Sequence, residues 1–101
     1  MALPKKTSRI ITVNNIEYSW MASGNDDIIY LIVCLKENPR QKLHSSFDYV
    51  NVIEHAVIEV QITPSIVKQV IEYAIHKGWN PYIKGKDFNI GTMNDHINYT
   101  T

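Results

Sequence analysis

The first two thirds of the chain consist of short runs rich in β-branched residues, separated by polar connections, which is typical of β-strands. Arg9–Val13 is one such run, and Ile16–Trp20 alternates apolar with polar positions. Asn14 and Asn15 lie between them, and asparagine tolerates the positive φ angles of a type I′ turn. The pattern therefore predicts a β-hairpin formed by the first two strands.

The longest apolar run, Ile28–Leu35, follows a cluster of turn-forming residues at Ser23–Asp26 and predicts a third strand. Both faces of this strand are apolar, so it belongs in the interior of a sheet. A single helix covers only one of those faces. We therefore expect the second face to be covered by curling of the sheet, by a partner subunit or by a ligand.

Two further alternating patterns predict a fourth and a fifth strand. Leu43–Tyr49 places apolar residues on one face, and Ile58–Ile62 alternates with glutamate and glutamine. Residues 51–55 between them are ambiguous, and we take them as a loop. A short run at Phe88–Ile90 predicts a closing strand near the C-terminus.

The strongest local signal is a helix between Thr63 and Gly78. Thr63 is a favoured N-cap residue, Pro64 suits the first helical position, and Gly78 suits the position after the last turn. The apolar residues that recur at helical spacing between them are Ile66, Val67, Val70, Ile71, Ala74 and Ile75. This apolar half of the helix must pack on the sheet, because a helix of this length is marginal alone in water.

Together the patterns predict an α+β fold: an antiparallel β-meander of about five strands, then one amphipathic helix packed on one sheet face, then a short C-terminal strand. The chain of 101 residues forms a single domain, 1–101, because two separate cores would each be too small. We expect residues 1–8 and 92–101 to be flexible, since chain ends without a clear periodicity fray.

Composition narrows the class of protein. Ten Lys and Arg balance ten Asp and Glu, so the formal net charge is zero, whereas dedicated nucleic-acid-binding proteins usually carry a basic excess. A single cysteine excludes a disulfide framework and a cysteine-based zinc site. No apolar stretch follows the basic residues of the N-terminus, so we expect a cytoplasmic protein that does not associate with a membrane.

The residues do not decide whether the protein is an enzyme, but they favour a protein without catalytic activity. The four histidines lack metal-binding spacing on a helix, and no glycine-rich phosphate loop exists. Cys34 lies in an apolar run, where we expect a buried and inert thiol. We therefore expect no catalytic residue, no metal ligand and no cofactor.

Aromatic residues form the most distinctive group on the predicted sheet. They are Tyr18 and Trp20 on one face of the second strand, Tyr30 on the third, and Phe47 and Tyr49 on one face of the fourth. Exposed aromatic residues on a sheet can stack nucleobases, but nucleic-acid binding needs interleaved Lys or Arg. Because the second and third strands offer only Lys36, packing in the core is the favoured interpretation.

A candidate binding site lies between the sheet and the segment that follows the helix. Trp79 and Tyr82 supply its apolar part, and His44, Asp48 and Glu54 are the polar groups that we expect within reach. A largely apolar pocket with a few converging polar groups is the usual form of a small-molecule site.

The C-terminal half carries a pattern of its own. It runs Thr63-Pro64-Ser65-Ile66-Val67-Lys68, then Ile71 and Ala74, then Gly78-Trp79-Asn80-Pro81 and Gly85-Lys86-Asp87-Phe88. Over residues 62–90 the pattern resembles small uncharacterised bacterial proteins, some of them similar to products of mobile gene cassettes such as those carried in integrons. The resemblance implies a bacterial origin and supports the fold, and it carries no catalytic or binding residue.

Three functions are compatible with these expectations. The first, which we favour, is a non-catalytic interaction module that binds a protein partner or itself as a homodimer; the unexplained face of the third strand and the zero net charge support it. The second is a small-molecule-binding protein or enzyme with a pocket near residues 79–82. The third is weak nucleic-acid binding through the basic clusters at 5–9 and 36–42, where ordinary solubility is the simpler interpretation.

Overall fold

The computed structural model describes residues 8–25, 28–37, 40–48, 50–53, 56–59 and 61–97. It confirms the α+β class, with a mixed five-stranded sheet and one helix. The strands are β1 (Arg9–Val13), β2 (Ile16–Asn25), β3 (Ile28–Leu35), β4 (Leu43–Asp48), β5 (Val50–Ile53), β6 (Ala56–Glu59) and β7 (Phe88–Thr92). The helix α1 spans Pro64–His76, and a short 3-10 helix at Asn94–His96 follows β7.

The main sheet has the strand order β1-β2-β3-β4-β7. β1 to β4 form the antiparallel meander, whereas β7 runs parallel to β4, with Leu43 opposite Phe88 and Ser46 opposite Thr92. Parallel neighbours need a crossover connection, and α1 lies in the connection between these two strands. The helix is therefore part of the path that returns the C-terminal strand to the sheet.

The predicted hairpin turn between β1 and β2 is confirmed. Asn14 and Asn15 have φ angles of 53° and 66°, and Val13 pairs with Ile16 on the facing strand. Two consecutive residues with positive φ between antiparallel strands form a type I′ turn, whose twist matches that of the strands.

The turn predicted at Ser23–Asp26 is wrong over its first three residues, because β2 continues to Asn25, which pairs with Ile28. Turn-forming residue types only bias the local backbone towards a turn. Pairing along the whole of β3 satisfies the backbone groups of both strands, and that gain outweighs the bias. Asp26 lies outside the described residues.

Residues 50–59 differ from the expected loop and fifth strand. The predicted loop at 51–55 is occupied by β5 as far as Ile53, and β6 at Ala56–Glu59 overlaps only the start of the strand expected at Ile58–Ile62. Residues 54, 55 and 60 lie outside the described residues. β5 and β6 pair with each other, Ile53 opposite Ala56, as a separate two-stranded sheet. Alternation within one strand does not specify which strand it pairs with. Pairing in a local hairpin satisfies the backbone hydrogen bonds just as pairing in the main sheet would.

The N-terminal end of α1 is confirmed. Thr63 is the N-cap, and its side-chain oxygen accepts a hydrogen bond from the Ile66 N–H at 3.4 Å. Pro64 occupies the first turn, where a backbone N–H has no partner within the helix, so the absence of this group in proline costs no hydrogen bond.

The C-terminal end of α1 is also confirmed. Gly78 has a φ of 114°, in the left-handed region that favours glycine. Its N–H donates to the Ile75 carbonyl at 3.1 Å, and the Trp79 N–H donates to the Ala74 carbonyl at 2.9 Å. These two bonds form a Schellman motif, which ends the helix and turns the chain towards the sheet.

The core lies between α1 and one face of the sheet. The helix contributes Ile66, Val67, Val70, Ile71 and Ala74. The strands contribute, among others, Val13, Tyr18, Trp20, Ile29, Leu31, Val33, Leu43 and Phe47. Ile75, which we expected on the buried helix face, is 41% exposed, because it lies in the last turn of the helix, beside the cleft described below.

The opposite side of the sheet, which we call the open face, carries no helix among the described residues. β3 places Tyr30, Ile32 and Cys34 there; Cys34 is buried as predicted, but Tyr30 is 44% exposed, so its expected place in the core is wrong. Strand alternation is the reason, because Leu31 faces the helix and its neighbours must face away. The expectation for Tyr18, Trp20 and Phe47 is confirmed, and Tyr49 lies outside the described residues.

Thr92 belongs to β7 and the two residues after it are buried, whereas we expected the chain to fray from Thr92. Met93 is fully buried. The Asn94 side chain accepts from the Asp48 N–H at 2.7 Å and donates to the Asp48 carbonyl at 3.3 Å. An amide that offers one donor and one acceptor replaces a strand partner at this point. Residues 1–7 and 98–101 lie outside the described part of the chain.

The turn at Asn15 gives a test of this local structure. An Asn15→Ala variant is expected to lose about 1 kcal/mol of unfolding free energy, because a Cβ without a local hydrogen bond disfavours positive φ. Asn15→Gly is expected to be at least as stable as the natural chain. Urea unfolding of both variants measures the difference, and equal stabilities would contradict the assigned turn.

Candidate functional site

The segment between α1 and β7 is held at the start of β4 by Gln41. The Trp79 indole N–H donates to the Gln41 carbonyl at 3.1 Å, and the Gln41 N–H donates to the Ile83 carbonyl at 3.1 Å. The Gln41 side-chain amide donates to the Lys86 carbonyl at 2.9 Å. These bonds order a segment that has no regular secondary structure, so its side chains are positioned without a ligand.

Within that segment, Trp79 packs on the sheet. It is 2% exposed, and its ring centroid lies 5.9 Å from that of Tyr18. Asn80 then forms a tight turn, because its side-chain oxygen accepts from the Tyr82 N–H at 2.9 Å and its carbonyl accepts from the Ile83 N–H at 3.2 Å. The turn places Tyr82 at the surface.

These elements enclose an open cavity of about 390 Å³, which we call the aromatic cleft. Its lining residues are Ile16, Tyr18, Ile75, Gly78, Trp79, Asn80, Pro81 and Tyr82. Tyr18 and Trp79 are buried beneath it, whereas Tyr82 is 59% exposed. None of the described lining side chains is charged, so the cleft offers aromatic and aliphatic surface with a few neutral polar groups.

Tyr18 is the polar group most affected by this environment. Burial raises the pKa of its phenol above the ordinary value of 10.0, and the neighbouring Tyr82 raises it further. Both effects disfavour the phenolate. Tyr18 therefore presents a neutral hydroxyl to its surroundings over the whole physiological pH range.

The structure separates the five residues of the predicted binding site. Trp79 and Tyr82 line the aromatic cleft. His44 lies on the open face, because alternation along β4 directs Leu43, Ser45 and Phe47 towards the helix. Asp48 is exposed at the end of β4, and Glu54 lies outside the described residues.

On the open face, His44 has a partner that the sequence did not indicate. Its Nε2 lies 2.7 Å from an Asp87 carboxylate oxygen. The two residues meet because β7 is parallel to β4, which brings the residue before Phe88 next to the start of β4. No local spacing signals this pair, so only knowledge of the parallel pairing would have found it.

His44 also lines a second cavity, of about 400 Å³, which we call the polar basin. Its other lining residues include Ser23, Tyr30, Ile32, Ser46 and Asn89, contributed by four neighbouring strands of the open face. The basin and the aromatic cleft thus lie on opposite sides of the sheet and differ in polarity.

The basic clusters considered for nucleic-acid binding are only partly described. Lys5 and Lys6 lie outside the described residues, and Arg9 is exposed on β1. The Lys36 ammonium lies 3.6 Å from a carboxylate oxygen of Glu17. The structure therefore places Lys36 beside an opposite charge.

No family model matches this chain, and no curated protein or solved structure shows significant similarity to it. The resemblance to gene-cassette proteins stays an expectation. Across the described residues, no helix has the length and apolar character needed to cross a membrane.

The buried phenol of Tyr18 predicts a specific sensitivity to alkali. Because its pKa is raised in the folded state, its contribution to stability is complete below the unfolded-state pKa of about 10. That contribution is lost as the pH rises from there through the folded-state pKa. Between pH 8 and pH 11, Tyr18→Phe is expected to lose less unfolding free energy than the natural chain. Tyr30→Phe, at an exposed tyrosine, is the control and should behave as the natural chain does; an equal loss in Tyr18→Phe would contradict the prediction.

Proposed function

We propose that this protein is a non-catalytic interaction module and that the aromatic cleft is its contact site. The supporting observation is the distribution of exposed apolar side chains. Ile75 and Tyr82 line the cleft and Ile83 follows directly, each of them more than two-fifths exposed, at 41%, 59% and 56%. Exposed apolar residues that cluster around a preformed cleft are typical of a contact site, whereas single ones are not.

The chemistry of the cleft supports a protein partner. Interface centres are depleted in charge and enriched in tyrosine and tryptophan, and their rims are polar. The described lining of the cleft is uncharged, and its exposed aromatic residue is Tyr82. His76 and Lys77 at the end of the helix, and Lys84 beyond Ile83, supply exposed charged or polar groups next to it.

A second copy of the chain is the partner that we propose first. The formal net charge of zero leaves little repulsion between copies. In a twofold dimer each copy presents the same patch to the other, so an exposed side chain beside one cleft can enter the cleft of the partner. Ile83 is such a side chain.

Self-association can be tested by sedimentation. We expect the natural chain to sediment as a dimer at high micromolar concentration. Replacing an exposed apolar side chain at the cleft, in Tyr82→Ser or Ile83→Ser, removes contact area, and the expected product is a monomer. Far-ultraviolet circular dichroism checks that the variants stay folded.

Ile10→Ser is the matched control, since Ile10 is 49% exposed but lies on β1, away from the cleft. Its variant should remain dimeric. A natural chain that is monomeric at this concentration would refute self-association. Dissociation of the Ile10→Ser variant would show that the interface involves the sheet and would contradict an interface at the cleft.

The volume of the cleft favours a second candidate function, the binding of a small apolar molecule. At about 390 Å³ the cleft falls within the usual range of ligand sites. A ligand that binds only the folded state raises the melting temperature. If this function is correct, a thermal-shift screen of neutral aromatic metabolites should give increases that Tyr82→Ser abolishes and Ile10→Ser retains; a screen without such hits would count against it.

A further inference from the structure

We propose that the polar basin on the open face binds a neutral, flat ring compound with hydrogen-bonding groups along its edge, an uncharged nucleobase or nucleoside. The basin lies on the other side of the sheet from the aromatic cleft. The proposal therefore does not depend on the function of the cleft.

Tyr30 and Ile32 give the basin a surface suited to a flat ring. Both line the cavity of about 400 Å³, and the Tyr30 side chain is 44% exposed without a helix over it. An accessible aromatic ring on a sheet is the surface on which nucleobases stack in single-stranded RNA recognition. Ile32 adds apolar contact beside it.

The His44 ring is held in a defined orientation. Since a carboxylate only accepts hydrogen bonds, the 2.7 Å contact with Asp87 requires His44 to donate through Nε2. In the neutral ring Nδ1 is then an acceptor. His44 thus brings to the basin a ring that is oriented by the protein itself and retains one hydrogen-bonding atom.

Asn89 and Ser46 are positioned in the same way. The Asn89 side-chain oxygen accepts from the Gly91 N–H at 2.8 Å, which leaves the amino group of the amide as a donor. The Ser46 hydroxyl lies 3.4 Å from that of Thr92. The basin therefore combines a donor, an acceptor and hydroxyl groups around an aromatic ring, which suits the mixed donors and acceptors along the edge of a base.

The charges of the basin favour a ligand without phosphate. None of its described lining residues is Lys or Arg, and the Asp87 carboxylate next to His44 opposes an anion. Nucleic-acid affinity depends mainly on cationic contacts to phosphate. The geometry thus points to a free base or nucleoside and away from a nucleotide or a nucleic-acid strand.

The test is a titration of the isotope-labelled full chain with adenosine, cytidine and uridine, followed by amide chemical shifts. At least one nucleoside is expected to give saturable shifts at Tyr30, His44, Ser46 and Asn89, and its 5′-monophosphate should bind no more tightly. Absence of shifts with all three, shifts centred on residues 75–83, or tighter binding of the monophosphate would each overturn the proposal.

Variants of Tyr30 test the stacking surface. Tyr30→Phe keeps the flat ring and should retain binding, whereas Tyr30→Leu keeps apolar volume without the ring and should weaken binding by about tenfold. Ile10→Ser, on the same face but outside the basin, is the control and should bind as the natural chain does. Unchanged affinity in Tyr30→Leu, or equal shifts with glucose, would refute recognition of a flat ring; the dispersion of the amide spectrum shows whether each variant is folded.

Discussion

The contact on which the rest of the structure depends is made by Trp79. Its backbone N–H completes the Schellman motif at the end of α1, its ring packs beside Tyr18 in the core, and its indole N–H reaches the Gln41 carbonyl at the start of β4. One side chain thus fixes the end of the helix to the sheet and sets the starting point of the segment that leads to β7. The same residue forms part of the wall of the aromatic cleft.

The two candidate sites lie on opposite sides of the sheet because successive side chains of a strand alternate between its two faces. Successive residues of β3 and β4 face opposite sides, so the same two strands supply buried apolar residues to the helix and His44, Ser46 and Tyr30 to the open face. The sequence suggested an apolar surplus on β3. In the sheet, Tyr30 and Ile32 lie opposite Ser46 and His44, so the second face is a mixture of apolar and polar side chains around these positions.

Features encoded by adjacent residues could be predicted from the sequence. The Asn14-Asn15 turn, the Thr63 cap and the Gly78 end each depend on a backbone conformation that a few residue types favour, and each is found as expected. The partner of β7 could not be predicted, because its pairing is with a strand that is distant in sequence and no local period encodes it. The same cause hid Asp87 as the partner of His44 and led us to group His44 with Trp79.

The parallel pairing of β7 with β4 also has a kinetic consequence. The hairpins among β1 to β4 close short loops. Pairing of positions 43 and 88 instead closes a long loop that contains β5, β6 and the helix. Loop closure over such a separation is entropically costly and slow compared with local pairing. We therefore expect the outer edge of β4 to be covered late in refolding and, until then, to expose unpaired backbone groups to other chains. An edge of this kind can pair with another chain, so fast docking of the segment after Trp79 would protect the chain from aggregation.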